Sequence, residues 1–295
     1  MIRKGIILAA GRGTRLYPLT AVCSKQLQPV HDKPMIYYPL TTLLLLGVRE
    51  ICFITTPEDF PLFERLLGDG SRFGAHFEFL VQEEPRGIAD ALLIGEVFTD
   101  GDPCALMLGD NLFHGNLDKA RRAFREFWNQ RGALIFGYPV SDPERYGVVS
   151  LDHAGRVREI VEKPSSPPSN LAVPGLYLYD DTAADRVRAL LPSERGEMEI
   201  TDLNRSYLES RKLKFAHLGR GLAWLDTGTP EALLQAAEYV HAVQERQGLL
   251  IGSPEEAAVR TGLLKTADDF NTLLATLPEG WYRDRIVTAW QERRL

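Results

Sequence analysis

Short apolar segments alternate with segments of helical periodicity through the first half of this chain, and that alternation limits the fold more than any other feature. Strand-length apolar runs occupy 6–10, 50–55, 77–82, 104–108 and 133–138, and helical patterns occupy 33–47, 88–98 and 116–128. Strands that are joined through helices form parallel sheets with helices on both faces. The order therefore predicts an α/β fold with a doubly wound, mostly parallel sheet. In the helix at 33–47, Asp32 is the expected cap and Pro34 lies in the first turn.

The pattern changes after residue 139. Strands are expected at 147–151 and 157–162 around a hairpin-like turn at 152–155, and then at 171–179, 214–218 and 223–226, with helices at 183–191 and 200–210. From 229 to the end the pattern is helical. We therefore expect a β-rich region after the parallel sheet and a helical segment at the C-terminus.

The charge balance and the cysteines exclude several classes of protein. Of 295 residues, 40 are acidic and 34 are basic, which gives a formal net charge of −6 and argues against a general nucleic-acid or membrane-surface binder. Cys23, Cys52 and Cys104 have no metal-binding spacing, and free thiols are typical of a reducing compartment. The apolar run at 6–10 is too short for a signal peptide, and the run at 35–48 is too short for a membrane span. We expect a cytoplasmic protein.

Polar clusters follow three of the predicted strands, at 11–15, 82–87 and 109–111. Because ligands of open α/β sheets bind beyond the carboxyl ends of the strands, these clusters predict a single site. Gly11 and Gly13 let the backbone approach a phosphate, and Arg15 and Lys25 supply cations that a triphosphate needs. Leu16 stands where a dinucleotide-binding fingerprint has its third glycine, which disfavours a dinucleotide-dependent oxidoreductase.

A series of segments carries a resemblance to a known family. The segments are 11–18, 24–27 with Pro29, 32–39, 67–70, 108–111, 142–149, 162–164, 175–177, 196–202 and 224–228. Through them the sequence resembles the nucleotidyltransferases that make nucleoside-diphosphate sugars, and within that family it is most similar to those that transfer a thymidylyl group to glucose 1-phosphate. It departs from the usual pattern at Ala10, Arg12 and Pro174, three positions that bear on the choice of nucleotide or sugar.

The resemblance implies a Rossmann-like fold and a Mg²⁺-dependent reaction. In that reaction dTTP and α-D-glucose 1-phosphate give dTDP-glucose and pyrophosphate, as the first step toward dTDP-deoxysugars such as dTDP-rhamnose. The implied catalytic domain covers about 1–240, with a nucleotide-binding part over about 1–138 and a sugar-binding part over about 139–240, and a helical segment follows at 241–295. Two alternatives stay open: the same chemistry with UTP or another sugar 1-phosphate, and a non-catalytic sugar-nucleotide sensor.

The resemblance also implies roles for particular residues. Arg15 would hold the leaving β- and γ-phosphates, and Lys25 would bridge the phosphates at the reacting centre. Asp110 and Asp226 would hold Mg²⁺. The expected nucleotide-binding residues are Leu8, Ala10, Gly11, Gly13, Thr14, Gln26, Gln82, Gly87 and Asp110. The expected sugar-phosphate-binding residues are Asn111, Tyr146, Gly147, Glu162, Lys163, Val173 and Tyr177.

The last part of the chain lacks these motifs but is amphipathic. Its apolar positions at helical spacing are Phe270, Leu273, Leu274 and Leu277, and Trp281 and Trp290 extend the apolar surface. Part of this surface should pack on its own domain, whereas two nearby tryptophans suit a subunit interface. The resemblance implies a homotetramer with a second nucleotide-sugar site away from catalysis, inhibited by a dTDP-deoxysugar.

Overall fold

A computed structural model describes residues 2–11, 13–127 and 130–293. The strands are β1 (Lys4–Ala9), β2 (Pro29–Val30), β3 (Lys33–Pro34), β4 (Glu50–Thr55), β5 (His76–Val81), β6 (Cys104–Leu108), β7 (Asn111–Gly115), β8 (Ala133–Pro139), β9 (Gly147–Leu151), β10 (Val157–Glu162), β11 (Leu171–Ala172), β12 (Leu176–Tyr179), β13 (Leu213–His217) and β14 (Leu222–Asp226). The α-helices are α1 (Tyr37–Leu45), α2 (Phe60–Leu67), α3 (Asp90–Ile94), α4 (Glu96–Thr99), α5 (Asp118–Phe127), α6 (Ala183–Arg188), α7 (Ile200–Glu209), α8 (Pro230–Gln247), α9 (Pro254–Arg260), α10 (Ala267–Ala275) and α11 (Trp281–Glu292). Short 3₁₀ helices cover Thr14–Leu16, Leu19–Ala21, Lys25–Leu27, Ser71–Phe73 and Pro143–Arg145.

The centre of the large sheet is parallel. β1 pairs with β4 on one side and with β6 on the other, and β5 pairs with β4, all in parallel register. Alternate residues of these strands face opposite sides of the sheet. Ile7 and Phe53 pack under α1, α2 and α5, whereas Ile6 and Ile54 pack under α3, α6 and α7. The predicted α/β fold with a doubly wound, mostly parallel central sheet is confirmed.

The region after residue 139 extends the same sheet mostly with antiparallel strands, and β13 alone among the described strands of this region pairs in parallel, with β8. β12 lies antiparallel between β6 and β8, and β11, β9 and β10 follow beyond β8 in that order. The hairpin predicted around 152–155 is the antiparallel pair of β9 and β10. β7 and β14 form a separate antiparallel pair. The β-rich region is therefore continuous with the parallel part of the sheet, and the division of 1–240 into two binding parts stays a prediction.

The helix predicted over 33–47 begins only at Tyr37. Lys33 and Pro34 instead form β3, whose backbone pairs with β2, so Pro34 lies in a strand and not in a first helical turn. The prediction that Asp32 caps this helix is therefore wrong. The Asp32 carboxylate accepts hydrogen bonds from the Lys33 ammonium group and from Gln244 Nε2, the latter at 2.9 Å. It thereby ties this segment to α8.

Other differences from the predicted elements arise at glycine and proline. The strand expected over 171–179 is split into β11 and β12 around Pro174, because proline offers no N–H to a sheet ladder. Gly95 separates α3 from α4 within the helix expected at 88–98. α2 and β7 were not predicted at all. Trp128, at the end of the helix predicted over 116–128, lies outside the described residues.

The C-terminal helices pack on the main core. Phe270, Leu273 and Ile286 are buried in the same apolar cluster as Ile7 of the central sheet. The ring of Trp290 stacks on Phe270 with centroids 4.2 Å apart, so the amphipathic stripe packs in good part on its own chain. In the described part of the chain, no helix has both the length and the apolar character needed to cross a bilayer.

Candidate active site

Two adjoining cavities open beyond the carboxyl ends of β1, β5 and β6. The first, of about 270 Å³, contains the acidic side chains Asp110, Glu162 and Asp226, and we refer to it as the carboxylate cavity. The second, of about 370 Å³, is lined by Gly11, Gly13 and Thr14 of the loop after β1 and by Gln82 and Gly87, and we refer to it as the loop cavity. Both cavities are lined by Leu8, Gly11, Arg15, Lys25 and Ile88. Two cations therefore stand where the cavities meet.

Asp110 and Asp226 are brought together by the pairing of β7 with β14. Asp226 is the register partner of Asn111, directly after Asp110. Thr227 fixes the two chain segments, because its N–H and its Oγ1 both donate to the Asp110 carbonyl oxygen, at 3.2 and 2.7 Å. Two residues far apart in sequence therefore place their carboxylates on one wall of the carboxylate cavity.

The two carboxylates have different electrostatic surroundings. Burial and the negative charge of Asp110 together raise the pKa of Asp226. Burial also acts to raise the pKa of Asp110, but the Lys25 charge and the hydrogen bonds from Lys25 and Asn111 outweigh it, so that pKa is lowered. Lys25 forms an ion pair with Asp110. Asp226 is thus the member of the pair whose charge is poorly compensated, and a bound cation would relieve this.

Asn111 acts within the protein as a support for its neighbours. Its Nδ2 donates to Asp110 Oδ1 at 3.0 Å, and its Oδ1 accepts from the Gly175 N–H at 3.0 Å and from Trp224 Nε1 at 2.7 Å. Trp224 lines the carboxylate cavity and packs against Tyr146, with ring centroids 5.0 Å apart. Sequence reasoning missed Trp224, although it lies two residues before Asp226 in a matched segment.

Arg15 and Arg145 add further positive charge around Asp226. A Cβ added at Gly228 would lie 3.0 Å from Arg15 Nη2 and 3.2 Å from Asp226 Oδ1, so the guanidinium and the carboxylate flank this glycine. Arg145 Nη2 lies 3.9 Å from Asp226 Oδ2 and Arg145 Nη1 lies 2.8 Å from Asp142 Oδ2. Arg145 was not among the predicted site residues, even though it belongs to the matched segment 142–149.

The far wall of the carboxylate cavity is suited to hydroxyl groups and to a phosphate. Glu162 Oε2 accepts a hydrogen bond from Thr201 Oγ1 at 2.6 Å, and its other oxygen lies 3.5 Å from Lys163 Nζ. Lys163 has a φ of 39°, a left-handed conformation that a side chain rarely adopts. A Cβ at Gly147 would lie 3.3 Å from Glu162 Oε2, so this glycine lets Glu162 approach the backbone of β9.

The loop cavity is bounded by backbone that only glycine adopts easily. Gly13 has a φ of 59°, and a Cβ there would lie 2.8 Å from Thr20 Cγ2. Gly87 has a φ of 102°, and a Cβ there would lie 2.5 Å from the Met198 carbonyl oxygen. Ala10 has no positive φ, so the alanine methyl is tolerated at this departure from the family pattern. Arg12, another departure, lies outside the described residues.

The structure brings all the predicted site residues to one of the two cavities. The carboxylate cavity holds Gln26, Asp110, Asn111, Tyr146, Gly147, Glu162, Lys163, Val173, Tyr177 and Asp226, the loop cavity holds Ala10, Gly13, Thr14, Gln82 and Gly87, and Leu8, Gly11, Arg15 and Lys25 line both. Gln26, expected with the nucleotide-binding set, lines the carboxylate cavity. Its buried Oε1 has no hydrogen-bond partner among the described residues, which leaves it available to a ligand donor.

The donor set also fits a hard divalent cation. Such ions take a small number of carboxylate oxygens and complete their coordination with phosphate oxygens and water. Asp110 and Asp226 offer carboxylate oxygens on one wall, next to the cations that phosphates would contact. Burial and the Asp110 charge raise the pKa of Asp226, and a cation bound beside its carboxylate would favour the charged form. The arrangement can therefore hold two anionic groups and one metal ion close together.

Comparisons with known proteins point to one family. The sequence matches the family described as Nucleotidyl transferase over residues 4–243. A relative from Xanthomonas campestris pv. campestris, named glucose-1-phosphate thymidylyltransferase, is 52% identical over 293 residues, which are 99% of this chain and 98% of the relative. A relative of the same name from Neisseria gonorrhoeae is 52% identical over 90% of this chain and 92% of its own length. A crystal structure from Bacillus anthracis, determined in complex with sucrose, superimposes with a TM-score of 0.74 at 40% identity, covering 80% of this chain and 94% of the other.

Proposed function

The chain belongs to the nucleotidyl transferase family, and from that membership we propose that it transfers a thymidylyl group from dTTP to α-D-glucose 1-phosphate. The products are dTDP-glucose and pyrophosphate, and the reaction is the first step toward dTDP-deoxysugars. Relatives that are 52% identical carry the name of this activity. The observation that carries the proposal is the placement of Arg15 and Lys25 in both cavities, because the phosphates of two substrates would meet there.

Each side chain then has a role in one displacement. A phosphate oxygen of the sugar phosphate attacks the α-phosphorus of the nucleotide, and the bond to the pyrophosphate oxygen breaks. Lys163 and Glu162 hold the sugar phosphate and its hydroxyls, and Gln82 and Gly87 bind the base. Lys25 bridges the phosphates at the reacting centre, and Arg15 holds the leaving phosphates. The work of these residues is alignment and charge neutralisation, which is what a reaction between two anions requires.

We propose Mg²⁺ as the metal, held by Asp110 and Asp226. When bound, it would neutralise phosphate charge and favour departure of pyrophosphate. Asn111 keeps the Asp110 carboxylate in place through its 3.0 Å hydrogen bond, and Thr227 keeps the two carboxylate-bearing segments together. Lys25 is paired with Asp110, one of the two proposed metal ligands, so it would act on the same phosphates as the metal.

The test is pyrophosphate release measured over a matrix of nucleoside triphosphates and sugar 1-phosphates. We expect the highest kcat/KM for dTTP with glucose 1-phosphate. A higher kcat/KM with UTP or with another sugar 1-phosphate would favour the first alternative. Nucleotide binding without pyrophosphate release, in the presence of Mg²⁺, would favour the sugar-nucleotide sensor.

We further propose a homotetramer that a dTDP-deoxysugar inhibits at a second site. Two cavities away from the reaction centre, of about 160 and 780 Å³, share the lining residues Leu45 and Arg260. The smaller one lies between α1, β7 and α9 and includes His114 and Glu256. Inhibition at this place should not be purely competitive with dTTP, and Arg260→Ala should raise the inhibitor concentration needed for half-inhibition. Purely competitive inhibition that is unaltered in this variant would contradict the second site.

We also propose a cytoplasmic setting. Cys23, Cys52 and Cys104 are all free thiols, and two of them are buried. Free thiols persist in a reducing compartment, and fractionation of the source cells would test this location directly.

A further inference from the structure

The side-chain amide of Gln82 is held in one orientation. Gln82 follows β5 and lines the loop cavity. Its Nε2 donates to Asp90 Oδ2 at 2.9 Å and lies 3.4 Å from the Gly87 carbonyl oxygen, which accepts its other hydrogen. Gln82 and Asp90 are only 6% and 4% exposed, so this arrangement is buried.

The two acceptors prevent the amide from turning over. A carboxylate and a carbonyl oxygen accept hydrogen bonds and donate none. If the amide rotated by about 180°, Gln82 Oε1 would face Asp90 Oδ2 and the Gly87 carbonyl oxygen, and both contacts would become repulsive. Both hydrogens of Nε2 are therefore directed into the protein, and Oε1 accepts from no described residue. What Gln82 presents to a ligand is an acceptor.

A donor lies beside that acceptor. Among the described residues, the backbone N–H of Gly87 has no acceptor, and Gly87 also lines the loop cavity. Two backbone hydrogen bonds to Met198 hold the loop at Gly87. The Arg86 carbonyl oxygen accepts from the Met198 N–H at 2.7 Å, and the Ala89 N–H donates to the Met198 carbonyl oxygen at 3.2 Å. An acceptor and a donor side by side match the ring N–H and adjacent carbonyl of thymine or uracil. Cytosine presents the reverse pattern, an accepting ring nitrogen and a donating amino group.

We propose that Asp90 is a positioning residue that sets the preference of this site among pyrimidine bases. It does so by fixing the Gln82 amide with its oxygen toward the base. The inference rests on the proposed nucleotide transfer, and it adds the residue that makes the site prefer thymine or uracil to cytosine. Arg86 Nε lies 3.8 Å from the second carboxylate oxygen of Asp90, so the buried charge has a partner.

The first experiment compares the equilibrium binding of dTTP and dCTP in wild type and in Asp90→Asn, without sugar phosphate. Asparagine both donates and accepts, so it can pair with Gln82 in either orientation, and only the Gly87 carbonyl oxygen still opposes the turned amide. We expect the dTTP-to-dCTP affinity ratio to fall by about tenfold, partly through tighter dCTP binding. Glu83→Gln is the matched control, because it removes one charge from an exposed neighbour of Gln82. It should leave the ratio unchanged. An unchanged ratio in Asp90→Asn, or equal weakening of both nucleotides, overturns the proposal.

A second measurement on the wild-type protein does not depend on the variant folding. dTTP methylated at ring N3 lacks the hydrogen that Gln82 Oε1 would accept, so it should bind about tenfold more weakly than dTTP. Binding as tight as that of dTTP overturns the proposal, and so does a wild type that binds no pyrimidine nucleotide. A wild type that prefers dTTP in binding, loses that preference in Asp90→Asn and releases no pyrophosphate contradicts the proposed function and supports the role of Asp90. Normal turnover with an unchanged ratio in Asp90→Asn contradicts only the role of Asp90.

Discussion

The reaction centre and the C-terminal helices differ in what holds them together. At the reaction centre, Asp110 and Asp226 come from distant parts of the chain, and burial together with the negative charge of Asp110 raises the pKa of Asp226. In the C-terminal helices, Leu273 is fully buried and packs with the core of the central sheet. Burial of an apolar side chain stabilises the fold, whereas two like charges held close together destabilise it. The first region should therefore govern turnover and the second should govern stability.

Substitution of either carboxylate gives the largest expected effect. Asp110→Asn and Asp226→Asn should each lower kcat/KM by about three orders of magnitude, because each removes a proposed ligand of the metal that would act on the reacting phosphates. Thermal unfolding of Asp226→Asn should show a Tm at or above that of wild type, since one of two repelling charges is gone. Asp110→Asn should instead lower the Tm, because it removes the partner of the Lys25 ammonium group. Steady-state kinetics over a range of Mg²⁺ concentrations checks the first part, and calorimetry checks the second.

The control for this pair is Asp152→Asn. Asp152 lies in the turn between β9 and β10 and accepts hydrogen bonds from its own turn, away from both cavities. Its replacement should leave kcat/KM unchanged. Near-wild-type activity of Asp226→Asn at limiting Mg²⁺ would show that the metal assignment is wrong.

Substitutions of two lysines of the carboxylate cavity should distinguish an effect on the chemical step from an effect on substrate binding. Lys25→Ala should lower the single-turnover rate by about 100-fold, because in the proposed reaction charge moves toward the leaving pyrophosphate beside Lys25. Lys163→Ala should instead raise the KM for glucose 1-phosphate by about tenfold, the effect of one lost charge-assisted hydrogen bond. Rapid-quench and steady-state measurements distinguish the two. A pure rise in KM for Lys25→Ala would contradict its place at the reacting centre.

Arg15→Ala tests the other shared cation in the same way. Arg15 should bind the leaving phosphates more tightly in the transition state, so the chemical step should slow by about 100-fold with a smaller change in nucleotide affinity. The single-turnover rate and the dTTP Kd, measured separately, decide this. Equal losses in rate and affinity would place Arg15 in nucleotide binding alone.

Leu273→Ala should lower stability and not turnover, the reverse of the result expected for Asp226→Asn. Leu273 is fully buried, and truncation of such a leucine costs about 2–5 kcal/mol of unfolding free energy. Turnover well below the new Tm should stay near that of wild type. Denaturant unfolding measures the stability, and Leu249→Ala, at a position that is 43% exposed, is the matched control. A stable but inactive Leu273→Ala would break the contrast between the two regions.

The sequence predicted the central sheet well because buried strands and amphipathic helices are local patterns. β4, β6, β9 and β10 have the predicted bounds. It failed where a contact from elsewhere decides the local structure. Pairing with β2 makes a strand of Lys33 and Pro34, which otherwise suit a first helical turn. β7 begins at Asn111, within an Asp-Asn pair that suits a turn, and it is a strand because β14 pairs with it.

The predicted site residues line the two cavities because they lie at strand ends or in the matched segments. The missed residues act through side-chain contacts that no local pattern shows. Asp90 is an example, since its role depends on Gln82 eight positions earlier and on the fold of the loop between them. Arg145 and Trp224 lay in matched segments, but their proximity to Asp226 and Asn111 needed the tertiary structure.

The smallest expected effect on stability concerns the subunit interface. Truncation near Gly248 would remove buried core residues such as Leu273 together with any interface, so it does not test assembly alone.

The two tryptophans offer a cleaner test. Trp290 stacks on Phe270, whereas Trp281 is 56% exposed. Trp281→Glu should therefore change the unfolding free energy by less than about 0.5 kcal/mol, as surface substitutions usually do. If Trp281 lies in the proposed tetramer interface, this variant should sediment as a smaller species than wild type at micromolar concentration. Trp290→Ala should lower stability instead. A wild type that sediments as a monomer, or a Trp281→Glu variant that sediments as the wild type does, would remove Trp281 from the interface.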